Sequence, residues 1–276
     1  MNPRYFIDTI YLSNVKKKTK PCKKEIIKQI KKYNKPEIDI CEKIKKIPYY
    51  FCFFSPILEY NLLDRVDSYI IVSREKLIPF HDFFKKINKN EKIVHILSSY
   101  RHLVEGIQKL NTIGILYGNY ESIGFNYQNQ PIMFNFERNQ TKIQYLPIEV
   151  HIISFLTKTN NKSLSISNIR EICDNFLSKT PSYEPNEVKK CVNIFSYLVN
   201  KPSNDIIEDM KIRMNTWDLY GIAMLYFSLL ETIPDRENIL FFEEILKKSL
   251  SIDPSMRMSI DDVISSMNMF SLEFTS

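Results

Sequence analysis

The cysteines and histidines are two of the residue types in this chain that could ligate a metal or take part in catalysis. The cysteines are widely spaced and form no Cys-x-x-Cys pair, at positions Cys22, Cys41, Cys52, Cys173 and Cys191. This spacing argues against a zinc site and a disulfide framework, and it favours a reducing compartment. His95 and His102 fall on one predicted helix, where surface or core histidines are commoner than metal ligands.

A basic segment near the start of the chain could bind an acidic partner. Residues 1–50 hold fourteen Lys and Arg against five Asp and Glu, including Lys16, Lys17, Lys18 and Lys20. The chain as a whole carries +6, so this segment is +9 and the other residues sum to −3. A solvated lysine-rich helix face is more common than a nucleic-acid contact, which makes nucleic acid a secondary candidate.

The composition is that of a globular protein with a substantial core. The chain has 276 residues, 44% hydrophobic and 13% aromatic, enough for one large domain or two lobes sharing a cleft. Lys, Ile and Asn are abundant and Gly is scarce, as in proteins of AT-rich genomes such as those of large DNA viruses, parasites or protists. No signal-peptide pattern opens the chain and its apolar stretches are short, so we expect a cytoplasmic protein without membrane contact.

The first part of the chain, up to residue 110, is predicted to contain both helices and strands that would position a site. Apolar periodicity predicts helices over 23–34 and 37–47, a short helix over 77–87 and a long one over 93–110. Strands are predicted over 49–57 and 68–73. The aromatic run Tyr49-Tyr-Phe-Cys-Phe-Phe54 is interpreted as a core strand rather than as a stacking platform.

The second half of the chain is predicted to be mostly helical. A strand, a turn and a strand are predicted over 114–136, beginning with the strand-like Gly114-Ile-Leu-Tyr117. The helical patterns that follow cover residues 149–156, 166–177, 186–198, 217–230, 239–250 and 260–269.

Five short segments follow one another in an order that carries a resemblance. They read Leu110-Asn-Thr-Ile-Gly-Ile-Leu-Tyr-Gly-Asn119, Phe134-Asn-Phe-Glu137, Pro147-Ile-Glu149, Asp218-Leu-Tyr-Gly-Ile-Ala-Met-Leu225 and Ser251-Ile-Asp-Pro-Ser-Met-Arg257. In this order they resemble the catalytic loop, the Asp-Phe-Gly segment, the Ala-Pro-Glu segment, the central large-lobe helix and the Asp-Pro-x-x-Arg segment of protein kinases.

The resemblance implies an α+β, protein-kinase-like bilobal fold. The reduced N-lobe would cover residues 1–75, and the helical C-lobe residues 76–276. Glu149 and Asp218 are separated by 68 residues, which implies a helical insertion over about 157–210. This departure is similar to that of kinase-like proteins from large DNA viruses.

Three residues carry structural roles under the resemblance. Glu149 closes the activation segment, and Asp218 opens the central helix of the large lobe. The resemblance implies a buried ion pair between Arg257 and Glu149, and loss of one partner would cost about 3 to 5 kcal/mol.

The catalytic positions of the resemblance hold residues that do not support phosphoryl transfer. Asn119 stands where kinases have the base aspartate, and an amide does not accept a proton as a carboxylate does. Gly124 stands at the metal-binding asparagine and Asn135 at the metal-chelating aspartate. No glycine precedes Gly106, so a glycine-rich phosphate loop is missing as well. We therefore expect no intact catalytic residue, no metal site and no cofactor.

These residues predict a pseudokinase that acts as a protein-binding scaffold or as a structural or assembly component. A viral origin would place it in the host cytoplasm or the virion, with viral structural proteins as partners. The alternative is an atypical serine/threonine kinase that still binds ATP and Mg²⁺. A third hypothesis is a nucleic-acid binder working through residues 16–46, whose affinity would fall steeply with salt.

Overall fold

The computed structural model describes most of the chain beyond residue 26. The described residues are 27–31, 35–56, 59–62, 68–72, 77–136, 145–179, 185–233 and 239–273. Strands and helices are both present, so the fold class is α+β, as the sequence predicts. The chain divides into two compact units, residues 1–140 and 141–276. This division differs from a lobe boundary after residue 75, and the lobes remain a prediction.

The strands of the described chain form two small sheets in the first unit. Their bounds are β1 Ile27–Lys31, β2 Phe54–Ser55, β3 Glu59–Leu62, β4 Ser68–Val72, β5 Ile78–Pro79, β6 Ile123–Phe125 and β7 Pro131–Phe134. One sheet has the antiparallel order β1-β4-β3. The other has the order β2-β7-β6-β5, in which only β2 and β7 are parallel.

The α-helices of the described chain lie mostly in the second unit. Those of the first unit are α1 Lys35–Ile44, α2 Phe80–Lys86 and α3 Lys89–Thr112. Those of the second unit are α4 Ile148–Thr159, α5 Ile166–Leu177, α6 Pro185–Phe195, α7 Ser203–Lys211, α8 Trp217–Leu230, α9 Leu240–Ser249 and α10 Ile260–Glu273. None of the described helices combines the length and apolar character needed to cross a bilayer.

The helix predicted over residues 23–34 is wrong where the structure describes it. Residues 27–31 form β1, which pairs antiparallel with β4. The spacing of Ile27 and Ile30 suits a helix, but pairing with a neighbouring strand overrides that local preference. Lys16, Lys17, Lys18, Lys20 and Cys22 lie outside the described residues.

The strand predicted over residues 49–57 is also largely wrong. Tyr49 has a left-handed backbone with φ 56° and ψ 30°, and a 3₁₀ helix follows at Tyr50–Cys52. Only Phe54 and Ser55 are in strand β2. Residues 45–49 form turns after α1, and Tyr49 is 73% exposed and Phe51 is 52% exposed. The run is therefore not a core strand.

Helix α3 ends at Thr112, and Gly114, which was predicted to begin a strand, closes its C-terminus. Gly114 has φ 67°, and the amide of Ile115 donates to the Leu110 carbonyl at 3.0 Å, which is the usual way to close a helix C-terminus. Residues 115–119 have no regular secondary structure. The strand predicted at 114–117 is therefore wrong, because its residues close the helix and enter a loop.

The core of the first unit surrounds α3 and a cluster of phenylalanines. The α3 side chains that are at most 2% exposed include Ile96, Tyr100, Leu103, Val104, Ile107 and Leu110. Phe83 of α2 stacks on Phe125 of β6 with ring centroids 3.6 Å apart. These contacts fix the β6–β7 hairpin beside α2, and this hairpin borders the first candidate site.

The core of the second unit is built around α8. Eleven of its residues are buried, including Asp218, so the helix is enclosed on nearly all sides. Helix α4 packs against α5 and α7, and Leu164 forms a parallel bridge with Val199. The residues predicted as a helical insertion are thus mostly helical where described, and they are part of this unit's packing.

Candidate functional site

The first candidate site is the loop from α3 to β7, which is closed by a tyrosine. Tyr117 is 1% exposed, and its hydroxyl can donate to the main-chain oxygens of Ser122 and Phe134, the latter at 2.9 Å. The amide of Phe134 also donates to the Ser122 carbonyl, at 3.0 Å. A buried polar group needs such partners, and these bonds tie both ends of the loop together.

Asn119 and Asn135, two of the predicted site residues, lie together in this loop. Asn119 is 1% exposed, and its side-chain nitrogen donates to the main-chain oxygen of Asn135 at 2.7 Å. The Asn119 carbonyl accepts from the Ser122 amide at 2.9 Å. Asn135 has a left-handed backbone with φ 55°, which asparagine tolerates better than most residues. The Asn119 amide group is therefore used to hold the loop.

Gly124, the third predicted site residue, lies in the middle of β6. Its neighbours across the sheet are Pro79 of β5 and Ile132 of β7. A Cβ atom at this position would stand 2.7 Å from the Leu77 Cβ and 3.1 Å from the Ile78 main-chain oxygen. A longer side chain therefore has no room here, and the glycine is explained by close packing.

The two catalytic positions of this loop are occupied by neutral amides. Proteins usually bind Mg²⁺ through one or two carboxylates, and neither Asn119 nor Asn135 supplies one. The side-chain oxygen of Asn135 is buried without a hydrogen-bond partner among the described residues. The carboxylate that chelates the metal of a magnesium nucleotide in kinases has no counterpart at these two positions. No group of three or more His, Cys, Asp or Glu is placed to hold a metal within the described ranges.

The second candidate site is the ion pair of Glu149 and Arg257 in the second unit. Their side chains are at most 1% exposed. Two parallel hydrogen bonds join them, from Nη1 to Oε1 at 2.8 Å and from Nη2 to Oε2 at 3.1 Å. This bidentate geometry gives the strongest kind of carboxylate–guanidinium contact. The ion pair implied by the sequence is present.

Further hydrogen bonds from neighbouring residues surround this ion pair. Arg257 donates to the Thr216 hydroxyl at 3.1 Å and to the Ser251 carbonyl at 3.2 Å. The Trp217 indole donates to Glu149 at 3.2 Å, and the guanidinium lies 5.2 Å from the centre of the Tyr220 ring. Burial raises the pKa of Tyr220, although Arg257 opposes this effect. The network has the satisfied bonds that a buried charge pair requires.

Asp218, the third residue with a predicted structural role, is buried in the first turn of α8. A carboxylate at this end of a helix is favoured by the helix dipole. Thr216 precedes it and is also buried. The structure therefore places Asp218 in the core and not on an open surface.

A cavity of about 380 Å³ adjoins the ion pair within the second unit. Besides Glu149, its polar lining includes Tyr197, Asp209, Arg213 and Asp253. Burial and the neighbouring carboxylate of Asp209 raise the pKa of Tyr197 to about 12. The tyrosine is therefore a hydrogen-bonding group near neutral pH and not a base.

Sequence reasoning missed the residues that close both sites. Tyr117 and Ser122 fasten the loop, and Thr216 and Trp217 complete the ion-pair network. Their position within or beside the recognised motifs is a signal that could have indicated them. Their partners are mostly main-chain oxygens or distant side chains, so a local pattern does not identify the contacts.

Comparisons with known proteins give no family for this chain. No protein-family model matches it, and no curated protein matches it.

Proposed function

We propose that this protein is a catalytically inactive relative of the protein kinases that works as a binding scaffold for other proteins. The observation that carries the proposal is the hydrogen bond of 2.7 Å from the Asn119 side chain to the Asn135 main chain. The two positions that resemble the catalytic aspartates hold the neutral residues Asn119 and Asn135. The Asn119 side chain stabilises the loop through this hydrogen bond. Phosphoryl transfer depends on carboxylates at these positions.

The buried Glu149–Arg257 pair supports the kinase-like part of the proposal. The residues are 108 positions apart in the chain and belong to two separate motifs of the resemblance. A buried ion pair joining two such motifs is not expected from composition alone, and its occurrence agrees with the kinase-like arrangement. The bilobal fold remains part of the proposal.

The scaffold part of the proposal follows from what the chain retains. The second unit has an enclosed core, whereas the two positions of the loop that resemble catalytic aspartates hold the neutral residues Asn119 and Asn135. The chain is rich in Lys, Ile and Asn, as are proteins of AT-rich genomes such as those of large DNA viruses. A viral origin would make the partners viral structural proteins in the host cytoplasm or the virion.

Thermal unfolding with ATP and Mg²⁺ tests this function. A nucleotide at one hundred times its dissociation constant would stabilise the fold by about 2.7 kcal/mol, which is easily measured. We expect no rise in Tm, and no transfer of labelled phosphate to the protein or to a general substrate. A magnesium-dependent rise with phosphate transfer would establish the alternative, an atypical serine/threonine kinase.

A further inference from the structure

The inference concerns an exposed aromatic segment that follows α1 and does not rest on the proposed function. We call residues 49–51 the aromatic turn. Tyr49 is 73% exposed and Phe51 is 52% exposed, although residues this large and aromatic usually bury most of their surface. Tyr50 is partly exposed between them. Three consecutive aromatic side chains thus reach solvent in one short turn.

The backbone of the aromatic turn is strained. Tyr49 adopts φ 56° and ψ 30°, a left-handed conformation that is unusual for an aromatic residue. Such conformations cost on the order of 1 kcal/mol or more, and they persist where the surrounding structure enforces them. No glycine or asparagine, which would adopt this backbone more easily, is present at the position. The chain therefore keeps a large aromatic residue at a turn where its backbone conformation is unfavourable.

The aromatic turn is held rigidly at both ends. Before it, Ile44 and Ile47 are buried, and the Tyr50 amide donates to the Ile47 carbonyl at 3.2 Å. After it, the ring of His102 stacks on Phe53 with centroids 4.5 Å apart, and its Nε2 lies 2.8 Å from the Cys52 carbonyl. A preorganised surface loses little conformational entropy when it binds a partner.

The rings of the aromatic turn are arranged edge to face. The Phe51 centroid is 6.3 Å from that of Tyr49 and 6.0 Å from that of Tyr50, with interplanar angles of 74° and 78°. An edge-to-face contact covers part of one face of one ring in each pair, and the exposure of Tyr49 and Phe51 shows that further ring surface is open to solvent. Exposed aromatic faces are the surfaces on which unpaired nucleic-acid bases stack.

Lysines lie immediately before the aromatic turn. Lys43 and Lys46 are exposed and form no ion pair within the described part of the chain. Lys45 pairs with Glu42 at 2.8 Å, so that carboxylate is already neutralised. The other acids of α1, Glu37 and Asp39, are further from the turn along the helix. Exposed cations close in sequence to exposed rings offer a phosphate backbone and its bases complementary contacts.

We propose that the aromatic turn, together with Lys43 and Lys46, binds single-stranded nucleic acid. A bilayer is a poorer match, because Phe51 is the only wholly apolar side chain of the turn while Ile44 and Ile47 are buried. An acidic peptide would meet the lysines but would leave the ring faces unused. Bases on the rings and phosphates on the lysines use both features.

Fluorescence anisotropy of the full chain with labelled oligo(dT) and oligo(U) of about 20 nucleotides tests the proposal. Tyr49→Gly removes a ring while suiting the left-handed backbone, and Phe51→Ala removes a second ring. We expect each to weaken binding about 10-fold. Lys43→Gln combined with Lys46→Gln should reduce the slope of log affinity against log salt by about 1.4. The two oligonucleotides distinguish DNA from RNA.

Matched controls separate the turn from general charge and exposure. Tyr127→Ala removes a ring that is 80% exposed, and Lys158→Gln with Lys162→Gln removes two exposed charges elsewhere; both should bind as the wild type does. The proposal is overturned if the wild type does not bind, or if the ring variants bind equally well. It is also overturned if polyglutamate or anionic vesicles compete as strongly as the oligonucleotides do. Thermal unfolding of Tyr49→Gly, expected at an unchanged or higher Tm, verifies its fold.

Discussion

At the scale of single residues, the Glu149–Arg257 pair has the largest expected effect on stability. Arg257→Met leaves a buried carboxylate without its partner, and we expect a loss of about 3 to 5 kcal/mol of unfolding free energy. Combining it with Glu149→Leu should recover much of this loss, since no buried charge then remains unpaired. Urea unfolding measures both variants.

The exposed pair of Arg101 and Glu105 provides the control for this measurement. Its atoms are 3.0 Å apart, but the side chains are 41% and 33% exposed. Solvent screens such a pair, so Arg101→Met should cost less than about 1 kcal/mol. Equal losses at the two sites would contradict the role assigned to burial.

Gly124 tests whether the degenerate site can be restored by its sequence alone. Gly124→Asn introduces the residue that the kinase resemblance would require, but its Cβ would stand 2.7 Å from that of Leu77. Overpacking of this kind costs about 1 to 3 kcal/mol. Gly114→Asn is the control, because that position has φ 67° and no atom within 4 Å of the new Cβ. Urea unfolding should show a clear loss for the first variant only, and equal losses would contradict the packing explanation.

His102 links the anchoring of the aromatic turn to pH. Burial lowers its pKa from the usual 6.5, an effect that the Cys52 carbonyl and Glu105 oppose. The folded protein therefore binds this proton less readily than the unfolded chain does. The contribution of neutral His102 to stability is complete above pH 6.5 and is lost as the pH falls below that value. His102→Gln should make the fall of Tm with acid shallower. Parallel curves for the wild type and His102→Gln would contradict the assignment.

At the scale of elements, the start of α5 depends on a reciprocal cap. The Ser165 hydroxyl accepts from the Asn168 amide at 3.2 Å, and the Asn168 side chain accepts from the Ser165 amide at 3.0 Å. Ser165→Ala should cost about 1 kcal/mol because helix-end amides lose a partner. Ser178→Ala, at the other end of α5, should cost much less, since it leaves no amide unpaired. Chemical denaturation of the two variants checks this, and a similar cost for both would contradict it.

The same elements show what the sequence could predict. Helices α5 and α8 begin and end at their predicted residues. In α5 the periodic apolar face and the serine cap are local, and in α8 the apolar run is nearly continuous. Strand β1 was mispredicted because its identity depends on β4, some forty residues away. The exposed position of Tyr49 was missed because it follows from a left-handed backbone that no local residue preference indicates.

In the candidate sites, too, some contacts could be predicted from the sequence and others could not. The ion pair was predictable because each partner sits in a recognisable motif. The closure of the loop by Tyr117 was not, since its hydroxyl reaches main-chain atoms that the β6–β7 hairpin brings near. A contact between a side chain and a distant main chain leaves no pattern in the sequence.

At the scale of the whole molecule, the two compact units differ in what holds them together. Residues 141–276 contain the enclosed helix α8 and both members of the buried ion pair. A segment of this length is within the usual range of a single domain. The chain's one tryptophan, Trp217, is in this unit and donates to Glu149. Its fluorescence therefore reports on the second unit, whereas far-UV circular dichroism reports on both.

We expect the fragment 141–276 to fold by itself, because its core and its ion-pair network are internal to it. In urea it should unfold cooperatively, with an m-value of about 1 to 3 kcal/mol/M and a fluorescence midpoint close to that of the full chain. Arg257→Met in the fragment should lower the midpoint as it does in the full chain, which distinguishes native packing from a collapsed state. A broad transition that is insensitive to this substitution would contradict independent folding and mean that the second unit requires residues 1–140.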